Sequence, residues 1–236
     1  MLDVMLHWLP ERRFELAADS AYCNRTVLRE LPRRVVVFGA MCPKAQLTAL
    51  PPPPKKGQRG RRRLRGALLP SPQALANDPE VPWHRTTAQL YGRRQTLWYK
   101  TLCAQWYRVC GSPLVRIVVV RVQTGRIGLR VFFSTDTTLS IRAVLESYAA
   151  RWSIEVAFKN LKQHLGFGDS CARKQAAVER TAPLVALMYT ALVLWMATGI
   201  YRTHLATPPL RPWYRLKRDL SFADVLRAAQ HANCSA

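Results

Sequence analysis

The segment "YAARWSIEVAFKNLK" contains four side chains that could bind and process a phosphate group: Tyr148, Arg151, Glu155 and Lys162. An α-helix turns by about 100° per residue, so all four fall in one stripe roughly 60° wide, beside a separate apolar face. In such a stripe the carboxylate could hold a metal ion, the two cations could grip a phosphate, and the phenol could donate a hydrogen bond or stack. On geometry alone, the stripe is more typical of a solvated helix face with charge partners.

A second carboxylate, Asp19, follows a predicted strand at Phe14–Ala18. Helix and strand patterns alternate around it, and in α/β units ligands bind at the carboxyl ends of the strands. Asp19 and Glu155 could therefore hold Mg²⁺ or Mn²⁺ together, because such sites combine carboxylate oxygens with substrate phosphates. Two metal ions held in this way support an in-line displacement at phosphorus. An ordinary cap at the end of a strand is the alternative for Asp19.

The overall charge indicates a polyanionic partner. The 236 residues include 36 Lys and Arg but 14 Asp and Glu, a formal net charge of +22. Nucleic acid is the partner that this excess favours most, and an anionic membrane surface is the second candidate. A basic protein without such a partner is the third interpretation.

The densest positive charge lies in "PPPPKKGQRGRRRLRG", residues 51–66, where a proline run precedes a cluster of basic residues. Such a segment cannot form a core and is expected to be extended. It is either a solvated linker or a basic arm that contacts DNA phosphates without reading sequence, and the net charge favours the arm. The candidate DNA-binding residues of this arm are Lys55, Lys56, Arg59, Arg61, Arg62, Arg63 and Arg65.

The elements that must position these residues begin with an alternating helix and strand pattern. Residues 2–9 have helical periodicity, "NRTVLRELP" predicts an amphipathic helix ended by Pro32, and "RRVVVFGA" predicts a buried strand. Three β-rich runs between Gln95 and Phe133, separated by turn signals, then predict an antiparallel sheet.

One helix carrying the whole stripe is predicted over residues 139–165. Ser140 or Thr138 is its expected N-cap, and Gly166 and Gly168 end it. The stripe can be continuous only if this helix is continuous.

A second helical region covers about 174–200, kinked or restarted at Pro183, and a short terminal helix is predicted over Phe222–His231. The stretch Ala182–Tyr201 carries no charge and is long enough to span a membrane. A buried helix of an α/β domain has the same composition.

The cysteines indicate a reducing compartment. Six are scattered without a C-x-x-C pair, so the spacing of a zinc site is absent. The N-terminus lacks the basic region of a signal peptide. We therefore expect an intracellular protein with reduced thiols.

The four residues of the stripe match the Y-(2)-R-(3)-E-(6)-K signature, and the chain resembles the DDE transposases of bacterial insertion sequences. The similarity extends over residues 132–195. "ELAADSAYCNRTVL" resembles the block around the second catalytic aspartate of that family, and "GQRGRRRLRGALLPSP" resembles its basic linker.

The resemblance implies an α/β fold in which a partial RNase H-like catalytic core is interrupted by a β-rich insertion. Residues 1–39 would form the first part of the core, and residues 40–134 the basic linker and the insertion. Residues 135–201 would supply the catalytic helix and a buried helix, and residues 202–236 a basic C-terminal tail.

The resemblance also implies roles for the candidate residues. Asp19 would be the second and Glu155 the third acidic ligand of Mg²⁺ (or Mn²⁺), with Tyr148, Arg151 and Lys162 in the same catalytic site. The reaction would be strand cleavage by water, followed by attack of the 3′-hydroxyl on target DNA. The partners would be transposon ends and target DNA in a bacterial cytoplasm, at the nucleoid, with a homodimer left open and no membrane.

The chain departs from the family pattern in one respect. The first catalytic aspartate lies on an earlier strand in that family, and nothing before Asp19 has this pattern, since Asp3 falls on a predicted helix. We therefore expect an N-terminally truncated transposase that is inactive alone. Asp136 is close in sequence to the catalytic helix but is not expected to replace the missing ligand. The alternatives are a non-catalytic basic DNA-binding protein and a single-span membrane protein.

Overall fold

A computed structural model describes residues 2–54, 57, 60–122, 128–204 and 220–234. The chain divides into two compact units, Met1–Trp152 and Ser153–Ala236. Each unit is described by itself below.

The first unit is a mixed α/β unit built on one sheet. Its strands are β1 (Phe14–Ala18), β2 (Val35–Ala40), β3 (Leu47–Thr48), β4 (Leu68–Leu69), β5 (His84–Leu90), β6 (Arg93–Gln105), β7 (Leu114–Val122) and β8 (Arg130–Ser134). Its helices are α1 (Leu2–Trp8), α2 (Arg25–Leu28), α3 (Pro72–Asn77), α4 (Tyr107–Cys110) and α5 (Ile141–Ala150).

The strands pair in the order β1-β2-β8-β7-β6-β3-β4, and β5 pairs with β6. β1 and β2 are parallel, with Phe14 opposite Val35, whereas β2 and β8 are antiparallel, with Phe38 opposite Ser134. β2 therefore joins the N-terminal α/β segment to the antiparallel strands in one sheet. The predicted strands at 14–18 and in "RRVVVFGA" are confirmed.

The sheet has a hydrophobic layer on each face, because successive side chains of a strand point to opposite sides. Val35 and Val37 belong to one layer, and Val36 and Phe38 to the other. All four are β-branched or aromatic and are buried, as expected for a central strand covered on both faces.

Helix α5 covers the second of these layers. Val144 and Leu145 pack in the same cluster as Phe38, and the helix contacts β1, β2, β5 and β8. Ser140 is its N-cap, as predicted, because its hydroxyl accepts a hydrogen bond from the amide of Ala143 at 3.1 Å. The cap and the buried face together fix where the C-terminal end of α5 lies on the sheet.

The second unit contains α6 (Trp152–His164, whose first residue belongs to the first unit), α7 (Gln175–Thr198), a 3-10 segment (Ile200–His204) and α8 (Phe222–Cys234). Its helices meet at Phe222, whose ring lies 5.8 Å from that of His164 and 5.4 Å from that of Tyr189. Leu161 of α6, Val185 of α7 and Val225 of α8 are buried.

The single helix predicted over 139–165 is wrong, because α5 ends at Ala150 and α6 begins at Trp152. Arg151 keeps helical backbone angles (φ −51°, ψ −34°), but its amide donates to the carbonyl of Tyr148, three residues back, at 3.1 Å. This is the hydrogen bond of a 3-10 turn, which interrupts the regular α-helical ladder. The predicted end of the helix at residue 165 is close to the observed end of α6 at His164, and Gly166 has the left-handed backbone expected after a helix.

Smaller corrections concern local structure. The first of the three β-rich runs, "TLWYKTLCAQWYRV", was predicted as strand throughout, but residues 107–110 form α4. β5 was missed, because "HRTTAQL" has little apolar content. The second helical region does not restart at Pro183, which lies inside a continuous α7.

The buried helix implied by the resemblance also needs correction. Val185 is the buried residue of α7, whereas Leu184, Leu187 and Leu194 are exposed. Only one side of α7 has neighbours among the residues that the structure describes. By length and composition, with a mean hydropathy of 1.6, α7 could cross a membrane; one such helix is weak evidence for a membrane span.

Candidate functional site

Asp19 follows the carboxyl end of β1 and is exposed. Its Oδ1 accepts a hydrogen bond from the amide of Ser20 at 2.6 Å and caps the 3-10 turn Ser20–Tyr22. The predicted strand-end cap is therefore present, and it does not exclude a second role. The cap fixes the carboxylate at the end of the strand, where it faces solvent and a substrate could reach it.

Tyr148 and Arg151 lie at the C-terminal end of α5. The Tyr148 ring packs against Phe132 with centroids 4.6 Å apart, and the guanidinium carbon of Arg151 lies 6.0 Å from the Tyr148 ring centroid. Burial raises the pKa of the Tyr148 phenol, Arg151 lowers it, and the negative charge of Asp19 raises it further. Asp19 and Tyr148 are thus close enough to interact electrostatically within the first unit.

The raised pKa has a chemical consequence. An ordinary tyrosine already loses its proton only near pH 10. The half-buried Tyr148 therefore keeps its proton at neutral pH and can donate a hydrogen bond to an anionic oxygen. Beside it, the guanidinium of Arg151 adds a fixed positive charge. This end of the first unit combines one carboxylate, one phenolic donor and one cation.

The other half of the stripe belongs to the second unit. Glu155 and Lys162 are both exposed and lie two helical turns apart on α6. Each unit keeps one pair of the signature on a helix: Tyr148 and Arg151 at the end of α5, and Glu155 and Lys162 on α6. The prediction of one stripe on one helix is corrected to two consecutive helices.

The family described as "Transposase DDE domain" matches residues 1–191, more than three quarters of the chain. The chain belongs to the DDE transposase family. No curated protein matches it. The matched range includes Asp19 and all four residues of the signature.

Membership of the DDE transposase family assigns a transposase function to the chain and DNA as its substrate. The net charge of +22 agrees with this substrate, because DNA is a dense polyanion. DDE transposases generally use divalent metal ions. The family is generally cytoplasmic.

The candidate metal ligands of this transposase are carboxylates. Asp19 and Glu155 are exposed carboxylates, the ligand type that Mg²⁺ prefers. Within the described ranges, no three Asp, Glu, His or Cys side chains group closely enough to hold a metal ion. Each carboxylate is thus of the type that Mg²⁺ binds, and a joint role of Asp19 and Glu155 stays a prediction.

Asp136 is not part of this site. It follows β8, which runs antiparallel to β2, and it pairs with Arg13, just before β1 begins. Asp19 follows the opposite end of β1. Hydrogen bonds from Thr138, and the partly exposed Arg13, lower the pKa of the Asp136 carboxyl, as expected for a structural carboxylate.

The basic arm of the transposase is partly described. Lys55, Lys56 and Arg59 lie outside the described residues. Arg61, Arg62, Arg63 and Arg65 are exposed in a segment without helix or strand. The guanidinium of Arg65 lies 5.2 Å from the ring centroid of Tyr107, which attaches this end of the arm to the first unit.

The sequence pattern did not indicate that Tyr91 and Arg130 lie near Tyr148. Together with Tyr148 they line a largely apolar cavity of about 340 Å³ between the sheet and α5. Tyr91 occupies the turn between β5 and β6, and a two-residue turn of the form X-Gly between polar β-runs is the signal that could have located it. Arg130 gives no comparable signal, because its position depends on the pairing of β8 with β7.

Proposed function

We propose that the catalytic site of this transposase is built for cleavage of one DNA strand by water and transfer of the freed 3′-hydroxyl to target DNA on an RNase H-like core, and that this chain needs a further acidic ligand to carry out the reaction. The observation that supports this most directly is that Asp19 directly follows β1 and that α5, which packs on β1, carries Tyr148 in its last turn. A carboxylate at a strand end beside a phenolic donor suits phosphoryl chemistry, and both residues lie in the matched range.

In this proposal Asp19 and Glu155 hold Mg²⁺ or Mn²⁺. A divalent cation, when bound, supplies Lewis-acid polarisation of a phosphoryl oxygen and a lower pKa for the attacking water. The chain's own contribution is to bind and orient the phosphodiester. The phenol of Tyr148 donates a hydrogen bond to a non-bridging oxygen, and Arg151 and Lys162 neutralise the backbone charge on either side.

The assigned ligands number two, and the described part of the chain contains no cluster of three. We therefore propose that the chain binds DNA but does not cleave it without a further acidic ligand. The basic arm residues Arg61, Arg62, Arg63 and Arg65, with Lys55, Lys56 and Arg59, would contact phosphates.

The test is nicking of supercoiled plasmid by the purified chain with Mg²⁺ or Mn²⁺, alongside duplex binding measured by fluorescence anisotropy. Asp19→Asn and Glu155→Gln are compared with Asp3→Asn and Glu179→Gln, exposed acids on α1 and α7. We expect duplex binding that weakens steeply as salt rises, and no nicking. Nicking that Asp19→Asn and Glu155→Gln abolish, but the control variants keep, would establish the metal ligands and overturn the proposed inactivity. Absence of duplex binding would overturn the proposed function.

A non-catalytic basic DNA-binding protein is the second candidate, favoured by the charge of +22 and by the lack of a three-ligand cluster among the residues that the structure describes. The two candidates differ in how their affinity for duplex DNA depends on Mg²⁺. In the proposed site, Mg²⁺ brings phosphate and carboxylates together, so duplex affinity should increase with Mg²⁺ at constant ionic strength. Asp19→Asn and Glu155→Gln should remove that increase. A simple basic binder would show no increase in either form.

A single-span membrane protein is the third candidate, and it rests on the apolar helix α7. Separation of cell extracts tests it. A transposase is expected in the fraction that salt releases without detergent, whereas extraction that requires detergent would favour the membrane span.

A further inference from the structure

The cavity of about 340 Å³ between the sheet and α5 has an apolar interior. Leu97 of β6, Val120 of β7 and Leu145 of α5 line it, and each is at most 3 % exposed. These side chains offer no hydrogen bond to water, so an apolar group displaces water from the cavity favourably. The volume lies at the lower end of the range of about 300–1,000 Å³ for small-molecule sites. The cavity therefore suits the apolar body of a small ligand.

Polar side chains line one part of this cavity, namely those of Arg130, Tyr91, Tyr148 and Gln95. Arg130 and Tyr91 are exposed, so these two mark the opening of the cavity to solvent. The ring of Tyr91 packs edge to face on Trp152, with centroids 6.2 Å apart, and this contact fixes one side of the opening. The cavity thus combines an apolar interior with a polar opening.

The position of Arg130 follows from the pairing of β8 with β7. Arg130 stands opposite Val120, and paired residues of antiparallel strands have their side chains on the same face of the sheet. The stem of Arg130 therefore lies beside Val120, on the face that α5 covers. Phe132, two residues along β8, shares this face, and its ring contacts that of Tyr148 with centroids 4.6 Å apart. Arg130 and Tyr148 are thus both neighbours of Phe132 at the edge of the cavity.

The charge at the opening is positive. Among the residues that the structure describes, no acidic residue lines the cavity and no carboxylate pairs with the guanidinium of Arg130. The carboxylate of Glu146, on α5, already accepts hydrogen bonds from the amide of Gln89 at 2.7 Å and from Arg142 at 2.9 Å. The charge of Arg130 is therefore available to an anion, and Tyr148 adds a phenolic hydrogen-bond donor. One cation with one donor suits a single negative charge, such as that of a carboxylate.

We propose that this cavity is a binding site for a small apolar monocarboxylate. The hydrocarbon part of the ligand fills the space between the sheet and α5, and its carboxylate pairs with Arg130 and accepts a hydrogen bond from Tyr148. At about 30 Å³ for each water-sized group, the cavity holds a ligand of roughly ten non-hydrogen atoms. Octanoate has this size and charge. The site goes beyond the proposed function, because its ligand binds without DNA or a metal ion.

The experiment is isothermal titration calorimetry of the full chain with octanoate as the probe, compared with octanol and butanoate. Octanol has the same apolar body without the charge, and butanoate has the charge on a shorter body. Arg130→Gln removes the positive charge, whereas Arg130→Lys keeps it. Arg121→Gln is the matched control, since Arg121 is exposed on the opposite face of β7, with its guanidinium 4.8 Å from the ring centroid of Trp83. Circular dichroism establishes that each variant folds.

We expect saturable binding of one octanoate per chain. Octanol, and octanoate with the Arg130→Gln variant, should bind roughly 10- to 150-fold more weakly, the range for loss of a hydrogen bond to a charged group. Butanoate should bind at least about 100-fold more weakly, because its shorter chain buries about four fewer methylene groups. Arg130→Lys should lose less affinity than Arg130→Gln, and Arg121→Gln should lose none. Ala149→Leu adds carbon atoms to the cavity from the last turn of α5 and should abolish binding.

Absence of saturable octanoate binding, equal affinity for octanol, or equal affinity of Arg130→Gln and Arg121→Gln would overturn the inference. The exposed apolar side of α7 is the alternative place for an amphipathic ligand, and Leu187→Ser tests it, because Leu187 is 65 % exposed there. Loss of binding in Leu187→Ser with retention in Ala149→Leu would place the ligand on α7 and reject the cavity. The reverse result supports the cavity whatever the nicking and duplex-binding assays show.

Discussion

The two compact units bury their apolar residues to very different extents. In the first, four successive residues of β2, Val35 to Phe38, are buried between two layers. In the second, the 24-residue helix α7 has Val185 as its buried residue. Both segments are similarly apolar in sequence. The difference shows that apolar composition does not determine burial, which also requires neighbouring elements on both sides.

The largest expected effect compares one side chain from each unit. Phe38 is fully buried, so Phe38→Ala should lower the free energy of unfolding by about 3–5 kcal/mol. Leu187 on α7 is 65 % exposed, so Leu187→Ala should change it by less than about 0.5 kcal/mol. Urea denaturation followed by circular dichroism measures both. A loss above about 2 kcal/mol for Leu187→Ala would mean that α7 is covered in solution, and the comparison would fail.

A second prediction compares the reactivity of buried thiols in the first unit with that of an exposed thiol in the second unit. Cys23 and Cys110 are buried in the first unit, whereas Cys171 of the second unit is exposed. Cys171, Cys42 and Cys103 should react with an aromatic disulfide reagent at the rate of a free thiol. Cys23 and Cys110 should react at least about a hundredfold more slowly, through opening of the fold. Mass spectrometry of the labelled peptides identifies each site.

The raised pKa values of Cys23 and Cys110 predict that the first unit loses stability at alkaline pH. Burial raises the pKa of Cys23 from 9.0 to about 11 and that of Cys110 from 9.0 to about 12. Above pH 9 the unfolded chain loses these protons while the folded unit keeps them. The stabilisation is therefore complete below pH 9 and is lost as the pH rises toward 11 and 12. The urea midpoint should fall between pH 8 and 10.5, and less so in Cys23→Ala combined with Cys110→Ala. Cys103→Ala, an exposed control, should leave the fall unchanged.

The smallest expected effects concern helix caps. Ser140 caps α5, and in the second unit the Ser221 amide and hydroxyl donate to Asp224 at 2.9 and 2.8 Å. Ser140→Ala and Ser221→Ala should each cost about 1 kcal/mol. Hydrogen exchange should show the first loss across the whole sheet and the second only in the second unit. A loss shared equally by both units in both variants would show that they unfold together.

How far the sequence could predict this structure depends on how local each cause is. β1, β2 and the Ser140 cap follow from neighbouring residues, and they were predicted. The interruption at Arg151 was not, because arginine is a good helix former and keeps helical angles there. Ile154 and Phe158 belong to the separate apolar face that the helical periodicity predicts, but both are exposed, because periodicity does not tell which neighbours a face will meet.

In the candidate site too, local features could be predicted from the sequence, whereas contacts between distant segments could not. The types and spacing of Tyr148, Arg151, Glu155 and Lys162 were readable as a signature, and so was the strand end at Asp19. That Asp19 lies near Tyr148 depends on α5 packing over β1, a contact between segments far apart in sequence. The aromatic pair of Tyr91 and Trp152 depends on the same packing, and local patterns could not predict it.

The place of β2 in the sheet has a consequence for synthesis of the chain. Its parallel neighbour β1 precedes it closely, but its other neighbour, β8, leaves the ribosome only about a hundred residues later. Until then, one edge of this apolar, buried strand has no partner, and unpaired strand edges promote aggregation. Translation speed and chaperone binding across residues 40–130 should therefore decide how much of the protein reaches its native state.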